Sequence, residues 1–232
     1  MISGQDRPPL GGRTWEQVCA ELEEAERNGP LSARDYELLA TAAYMIGADD
    51  TVVRALEAAH RSHLTRHEPL RAVRCAFWAG LHLRLRGEHG PASGWLGRAA
   101  RILEREGGDC VERGYLHLPT VLEHDARGEH EAAFDAARHT VEIAERFEDA
   151  DLFALAVHEQ GRALIKLGRL REGLRAVAGG VCMSGFACAE VVMGALVAVF
   201  RSRACVCLGE GSWMGAPSLV FVVRRTGPRP RC

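Results

Sequence analysis

The sequence predicts an all-α fold, a solenoid of stacked helical hairpins, and three observations carry that prediction. A glycine closes a helical segment at Gly47, Gly87, Gly128 and Gly168, at an almost constant interval. Such a period belongs to a helix pair that cannot bury its apolar face alone and so stacks on its neighbours. The tetrad RGEH stands at 86–89 and again at 127–130, each time where one helical segment gives way to the next. Before position 176 there is no strand-like alternation, only apolar residues recurring at helical spacing.

The elements follow in order. The segment 1–13, MISGQDRPPLGGR, contains no apolar run of the kind a signal peptide needs, and reads as a flexible leader. Thr14 with Gln17 forms a capping box that opens an N-terminal helix, with Trp15, Cys19 and Leu22 turned inward. The turn NGPLS at 28–32 places Ser32 to cap the next helix. Each unit then reads as two helices, A and B. The first B helix aligns Val52, Leu56, Ala59 and His63; the second aligns Ala92, Leu96, Ala99 and Leu103; the third aligns Ala133, Ala137, Thr140 and Ala144. Offsets of four, three and four put each set on one helical stripe. The second A helix, RAVRCAFWAGLHLRLRG, is apolar through Val73, Phe77, Gly80 and Leu81. Small residues on these faces let two backbones cross closely. Asp149 or Asp151 caps the helix that begins near Leu152.

Composition restricts what such a stack does. At 232 residues, 47% hydrophobic and 26% charged, the chain is long enough for one or two cores. Its net charge of −2 is unevenly spread. Six Arg against two Glu after Arg175 give +4 there, which leaves −6 on the body before it. An acidic body argues against a nucleic-acid surface spread over the repeats. Cys19, Cys75 and Cys110 show no metal or disulfide spacing, and five more cysteines crowd the segment after Ala176 without forming paired CxxC motifs. Reduced thiols and a cytoplasmic location are the expectation.

The small residue seven before the turn glycine, the alanine five after it and the bulky residue nine after it are Gly80, Ala92 and Leu96 around Gly87. Val121, Ala133 and Ala137 around Gly128 follow the pattern more loosely. The pattern resembles the tetratricopeptide repeat, in units longer than the usual length of about 34 residues. More narrowly, the segment 14–175 resembles the N-terminal repeat array of large actinobacterial LuxR-type transcriptional regulators. HEPLRAVRCAFWAGLHLRLRGEHGPASGWL at 67–96 and HEQGRALIKLGRLREGLR at 158–175 carry the likeness. That family ends in a DNA-reading helix-turn-helix, and no compact helix set with a basic recognition helix occurs in this sequence. The resemblance implies a truncated regulator whose repeats bind a protein, a peptide or a small effector, with no specific DNA binding. The alternatives are a stand-alone scaffold for peptides and a membrane-tethered adaptor.

From Ala176 to Cys232 the composition changes to Cys, Gly, Ser, Arg and Val. No stable fold is expected of this tail, which reads as a frameshift product. Among the basic side chains only Lys166 is lysine, and Asn28 is the one asparagine, the mark of a GC-rich coding sequence. GC-rich codons read out of frame give such a mixture. Two other readings are a transmembrane helix at 181–200, in which Glu190 offsets the apolar gain, and a small β-rich unit around SLVFVV at 218–223. Membrane association is not expected.

No catalytic, cofactor-binding or metal-binding set stands out. His60, His63 and His67 share a helix face at metal-like spacing, but the plainer reading is a helix end whose histidines are solvated or meet the helix dipole. RGEH reads as turn punctuation, and Phe77, Trp78, Trp95 and Tyr115 as packing. Enzyme activity is not expected. The tetratricopeptide likeness instead implies a groove along the A helices, lined three and six residues before each turn glycine. These positions are Thr41 and Tyr44, Leu81 and Arg84, Leu122 and Asp125, and Arg162 and Ile165. Arg84 and Arg162 beside apolar neighbours suit an acidic or amphipathic peptide. As exposed charges, both should be removable with little effect on stability.

Overall fold

A computed structural model describes residues 12–183 of the chain. The leader up to position 11 and the tail from 184 onward, with most of the 181–200 segment and the whole of 218–223, lie outside the described residues. Among the described residues there are nine helices and no strand. They are α1 (Trp15–Asn28), α2 (Ala33–Ile46), α3 (Asp49–Thr65), α4 (Pro69–Leu85), α5 (His89–Glu106), α6 (Glu112–Ala126), α7 (His130–Arg146), α8 (Ala150–Lys166) and α9 (Leu170–Met183). The fold is an all-α, tetratricopeptide-like stack in which α2–α3, α4–α5, α6–α7 and α8–α9 are successive hairpins. No described helix is long and apolar enough to cross a membrane.

The turns show why the chain folds this way. A left-handed residue stands at Gly47, His67, Gly87, Gly128, Glu148 and Gly168, with φ between 52° and 82°. The next amide in each case reaches back five positions, as from Ala48 to the Ala43 carbonyl, Glu88 to Leu83 and Asp149 to Ala144. This is the Schellman closure, which satisfies carbonyls that a helix end leaves open. With Gly107 and Gly108 between α5 and α6, a left-handed residue recurs at half the period that the sequence displays. The other half is hidden because His67 and Glu148 occupy the strained position without being glycine.

Caps begin the helices as their residues predict. Thr14 and Gln17 form the reciprocal capping box on α1, Ser32 accepts from the Asp35 amide, and Asp149 accepts from Leu152. Pro119 sits inside α6, where it has no N–H to give the Tyr115 carbonyl.

Packing decides the layering. α4 touches α6 and α6 touches α8 along their flanks, while no two successive B helices pack so closely. Through α4, α6 and α8 the A helices therefore form the tighter layer of the stack and the B helices the splayed one. α4 is buried nearly all round, with Phe77 edge-on to both Trp78 and Tyr115 at centroid distances of 5.2 and 5.1 Å. Trp15 and Leu22 of α1 pack against this core, and Cys19 lies inside it. Glycine allows the closest crossings. A Cβ on Gly80 would lie 2.8 Å from Leu96 Cγ, and one on Gly161 would lie 2.8 Å from the Gly173 carbonyl oxygen. The second contact makes α9 the B helix of the fourth unit. The boundary at 175/176, placed where composition shifts, falls inside that helix, and Val177 still packs over Gly161.

Candidate functional site

The eight groove positions lie along the A-helix layer, yet they do not present a set of free charges. Leu81 is buried in the core, while Tyr44 and Leu122 pack half-buried against it. Thr41 and Ile165 are half-buried, and the Thr41 hydroxyl donates to the Glu37 carbonyl one turn back. The Tyr44 ring meets His82 edge-on at 5.9 Å, and burial, with Asp49 adding, pushes the phenol up to about 12. Arg84 of α4 pairs with Glu123 of α6 at 3.3 Å. Arg162 of α8 pairs with Glu159 on its own helix and with Asp125 of α6 at 3.2 Å. Lys166 also pairs with Asp125, and His130 Nδ1 lies 3.6 Å from it. Arg74 of α4 joins Glu112 of α6 and Asp149 at the start of α8, and stacks over Tyr115, whose hydroxyl donates to Asp149 at 2.9 Å.

Four of these ties share a cause. Stacking sets α4 beside α6 and α6 beside α8, so Arg74 meets Glu112, Arg84 meets Glu123, and Asp125 meets Arg162 and Lys166 about one period further along the chain. The structure thus brings Asp125 and Arg162 together and places Arg84 in the same row. It does not unite the eight positions in one pocket. Arg162 also departs from the expectation that its removal leaves stability unchanged. Its partner Asp125 is buried, so its loss touches the interior.

The histidine row of α3 is corrected more sharply. His60 and His63 are not solvated: each is 1% exposed. They lie on the inner stripe of α3, facing α2 and α4. The His60 Nδ1–H donates to the Ala72 carbonyl at 2.8 Å, and its ring meets Trp95 edge-on at 5.4 Å. Burial lowers its pKa, so it is held neutral. His67 stands apart in the turn with φ 57°. The three histidines therefore do not converge on one point.

His63 has other company. Its Nε2 lies 2.6 Å from Glu37 Oε1 on α2, and its Nδ1 lies 2.7 Å from Glu68 Oε2 at the start of α4. Cys75 of α4, also buried, sets its Sγ 3.9 Å from the same Glu37 oxygen. Burial works against a charge on His63, but the hydrogen bonds with Cys75, Glu37 and Glu68 outweigh it and push the pKa up to about 10. Glu37 is held below the usual carboxylate range: burial raises it, and the hydrogen bond from His63 together with nearby positive charges, His63 and Arg71 among them, outweighs that. Spacing along the chain could not show this cluster, because its members come from three helices. One signal was available: His63 occupies the stripe position that is alanine or leucine in the other units.

The comparisons with known proteins bear on the fold alone. The chain is similar to a solved structure described as the apo form of the quorum sensor NprR from B. thuringiensis, with a TM-score of 0.52 and 12% sequence identity. The likeness covers 82% of this chain and 54% of that one, so the chain spans about half the neighbour's length. No protein-family model matches the sequence, and no curated protein matches it.

Proposed function

We propose that the stack is a cytoplasmic, non-enzymatic partner-binding array, the interaction portion of a LuxR-type regulator, and that it does not itself read DNA sequence. The observation that carries this is the A-helix layer. Along it Arg84 and Arg162 alternate with Tyr44, Leu122 and Ile165, and the pair of Arg84 with Glu123 is open to solvent on the Glu123 side. Such a pair contributes little to stability, so an acidic, partly apolar peptide replaces it at small cost. The acidic body favours a protein or peptide, with a small effector as the lesser candidate, over nucleic acid.

Selection of a random acidic-apolar peptide library on the full chain tests the row. Enrichment on the wild type that disappears on Arg84→Glu is expected; enrichment indifferent to that change would overturn the assignment. The stand-alone scaffold is the second reading, in which the same row binds peptides for its own sake. Translating the DNA after the Arg175 codon in its other two frames separates the two. Further repeat units of the same period and a helix-turn-helix support the regulator, and their absence supports the scaffold. A salt-resistant, sequence-selective shift of duplex DNA by this chain would contradict both.

A further inference from the structure

The geometry points to a transition-metal site of the zinc class inside the first hairpins, with Glu37 of α2, His63 of α3 and Cys75 of α4 as ligands. Each offers one ligating atom, and the three atoms lie within 4.8 Å of one another. An oxygen, an imidazole nitrogen and a thiolate form a mixed set that suits Zn2+, while Mg2+ and Ca2+ prefer oxygen alone. Tetrahedral zinc spaces such atoms about 3.3–3.6 Å apart, from bond lengths of about 2.0–2.3 Å. The Glu37–Cys75 separation of 3.9 Å is close to that. His63 and Glu37, at 2.6 Å, need to part by roughly 0.7 Å, a small rotation of the Glu37 side chain.

Glu68 is the second, independent observation. A histidine that ligates metal through one ring nitrogen almost always donates its other N–H to a carboxylate or carbonyl, which sets the tautomer and the ring plane. His63 makes that contact to Glu68 at 2.7 Å, with Nε2 aimed at the other two donors. Cys75 strengthens the case. A buried ion pair of His63 with two carboxylates has no need of a thiol, and 3.9 Å is a weak contact, yet the sulfur completes a ligand triangle.

The exchange balances. Coordination removes the proton from His63 Nε2 and the thiol proton from Cys75, so one dication enters as two protons leave. The buried charge is unchanged, and the ion adds no desolvation penalty from excess charge. Glu68, beside His63, is the most exposed group at the cluster, its side chain 36% exposed. Three protein ligands leave a fourth position for water. With its ligands on three consecutive helices, the ion ties the first hairpin to the second unit.

The test uses the full chain with its thiols reduced, loaded with Zn2+ or with Co2+ as a spectroscopic probe and then desalted. One retained equivalent is expected, with Co2+ giving a thiolate charge-transfer band and the strong visible absorption of tetrahedral coordination. Cys75→Ser and Glu37→Gln should abolish the band while keeping the helical circular dichroism. Cys19→Ser, Cys110→Ser and a variant with Cys182, Cys188, Cys205, Cys207 and Cys232 all changed to Ser should retain it. Zinc should raise the melting temperature of the wild type and of Cys19→Ser, but not of Cys75→Ser. No retained metal, a band that survives Cys75→Ser, or a band lost with the five tail cysteines would overturn the site. Peptide selection on the Arg84 row is read separately, so failure of one inference leaves the other standing.

Discussion

The first half of the stack encloses a cation where the second encloses an anion. In the first half His63 is held between Glu37 and Glu68. In the second Asp125 is held by Arg162 and Lys166, with His130 nearby. The first cluster draws on three consecutive helices, as the elements of one and a half hairpins fold over one another. The second reaches across the A layer to a helix one unit away. A repeat architecture thus keeps its geometry while reversing the sign of what it encloses. Each side chain in a stack answers to its lateral neighbours as much as to its own unit.

Taking the cations from the second half should have the largest effect. Arg162→Met with Lys166→Met removes two of the charges that hold Asp125 and should cost about 3–5 kcal/mol in urea unfolding. A loss below about 1 kcal/mol would mean that the carboxylate is hydrated or neutral rather than held by its cations. The matching change in the first half should cost less, because Glu68 is more exposed. His63→Leu, measured with a chelator present, should lower stability by about 2–3 kcal/mol through the loss of Glu37's partner. Adding Glu37→Leu should then restore part of the loss, since an apolar pair fills the space without a buried charge.

Each half also encloses a neutral histidine that responds to acid. Burial lowers the pKa of His60 in the first half and of His158 in the second; Glu159 opposes that shift at His158 and Arg162 reinforces it. A folded pKa below the ordinary value of 6.5 means that the unfolded chain takes up protons first as pH falls. Their contribution is therefore whole above pH 6.5 and is lost as pH drops below it. Thermal melts at pH 7 and pH 5 should show this loss, and His158→Leu should reduce it. An unchanged pH slope in that variant would show that His158 is already protonated in the fold.

The smallest effect concerns the turns. Glu148→Gly should stabilise by roughly 0.5–1 kcal/mol, since glycine meets no steric cost at φ 52°. Gly87→Ala, at φ 82°, should destabilise by a similar amount, about 1 kcal/mol. Equal and opposite shifts in melting would show that the within-unit and between-unit turns are one structure with different residues. A neutral Glu148→Gly would show instead that the unfolded state absorbs the gain.

Much of the architecture is written in the residues themselves. Glycine at 47, 87, 128 and 168 marks the turns because a left-handed residue is cheapest as glycine. Thr14, Ser32 and Asp149 mark helix starts because their oxygens accept from open amides. The B-helix stripes are legible because a period of 3.6 depends on neighbours three and four positions away. Turns are legible near His67, which precedes Pro69, and before Asp149, but the left-handed conformation of His67 and Glu148 is not, since those residues adopt it only because the flanking helices pack and hold them there. The helix through Ala176 escapes a sequence reading for a related reason. Its Ala-Val-Ala-Gly-Gly run reads as a break, but Gly173 and Val177 dock on Gly161 and hold it.

Residue order alone specified the helices up to α8, their succession and the repeat that stacks them, because each depends on groups within about one turn or one period of each other. Packing settled which side chains meet. It paired Arg162 with Asp125, and it gathered Glu37, His63 and Cys75 from three helices into one buried cluster. The physical reason is range. Helix formation and capping act over short stretches of chain, whereas the charge state and partners of a buried side chain depend on whichever helices close over it.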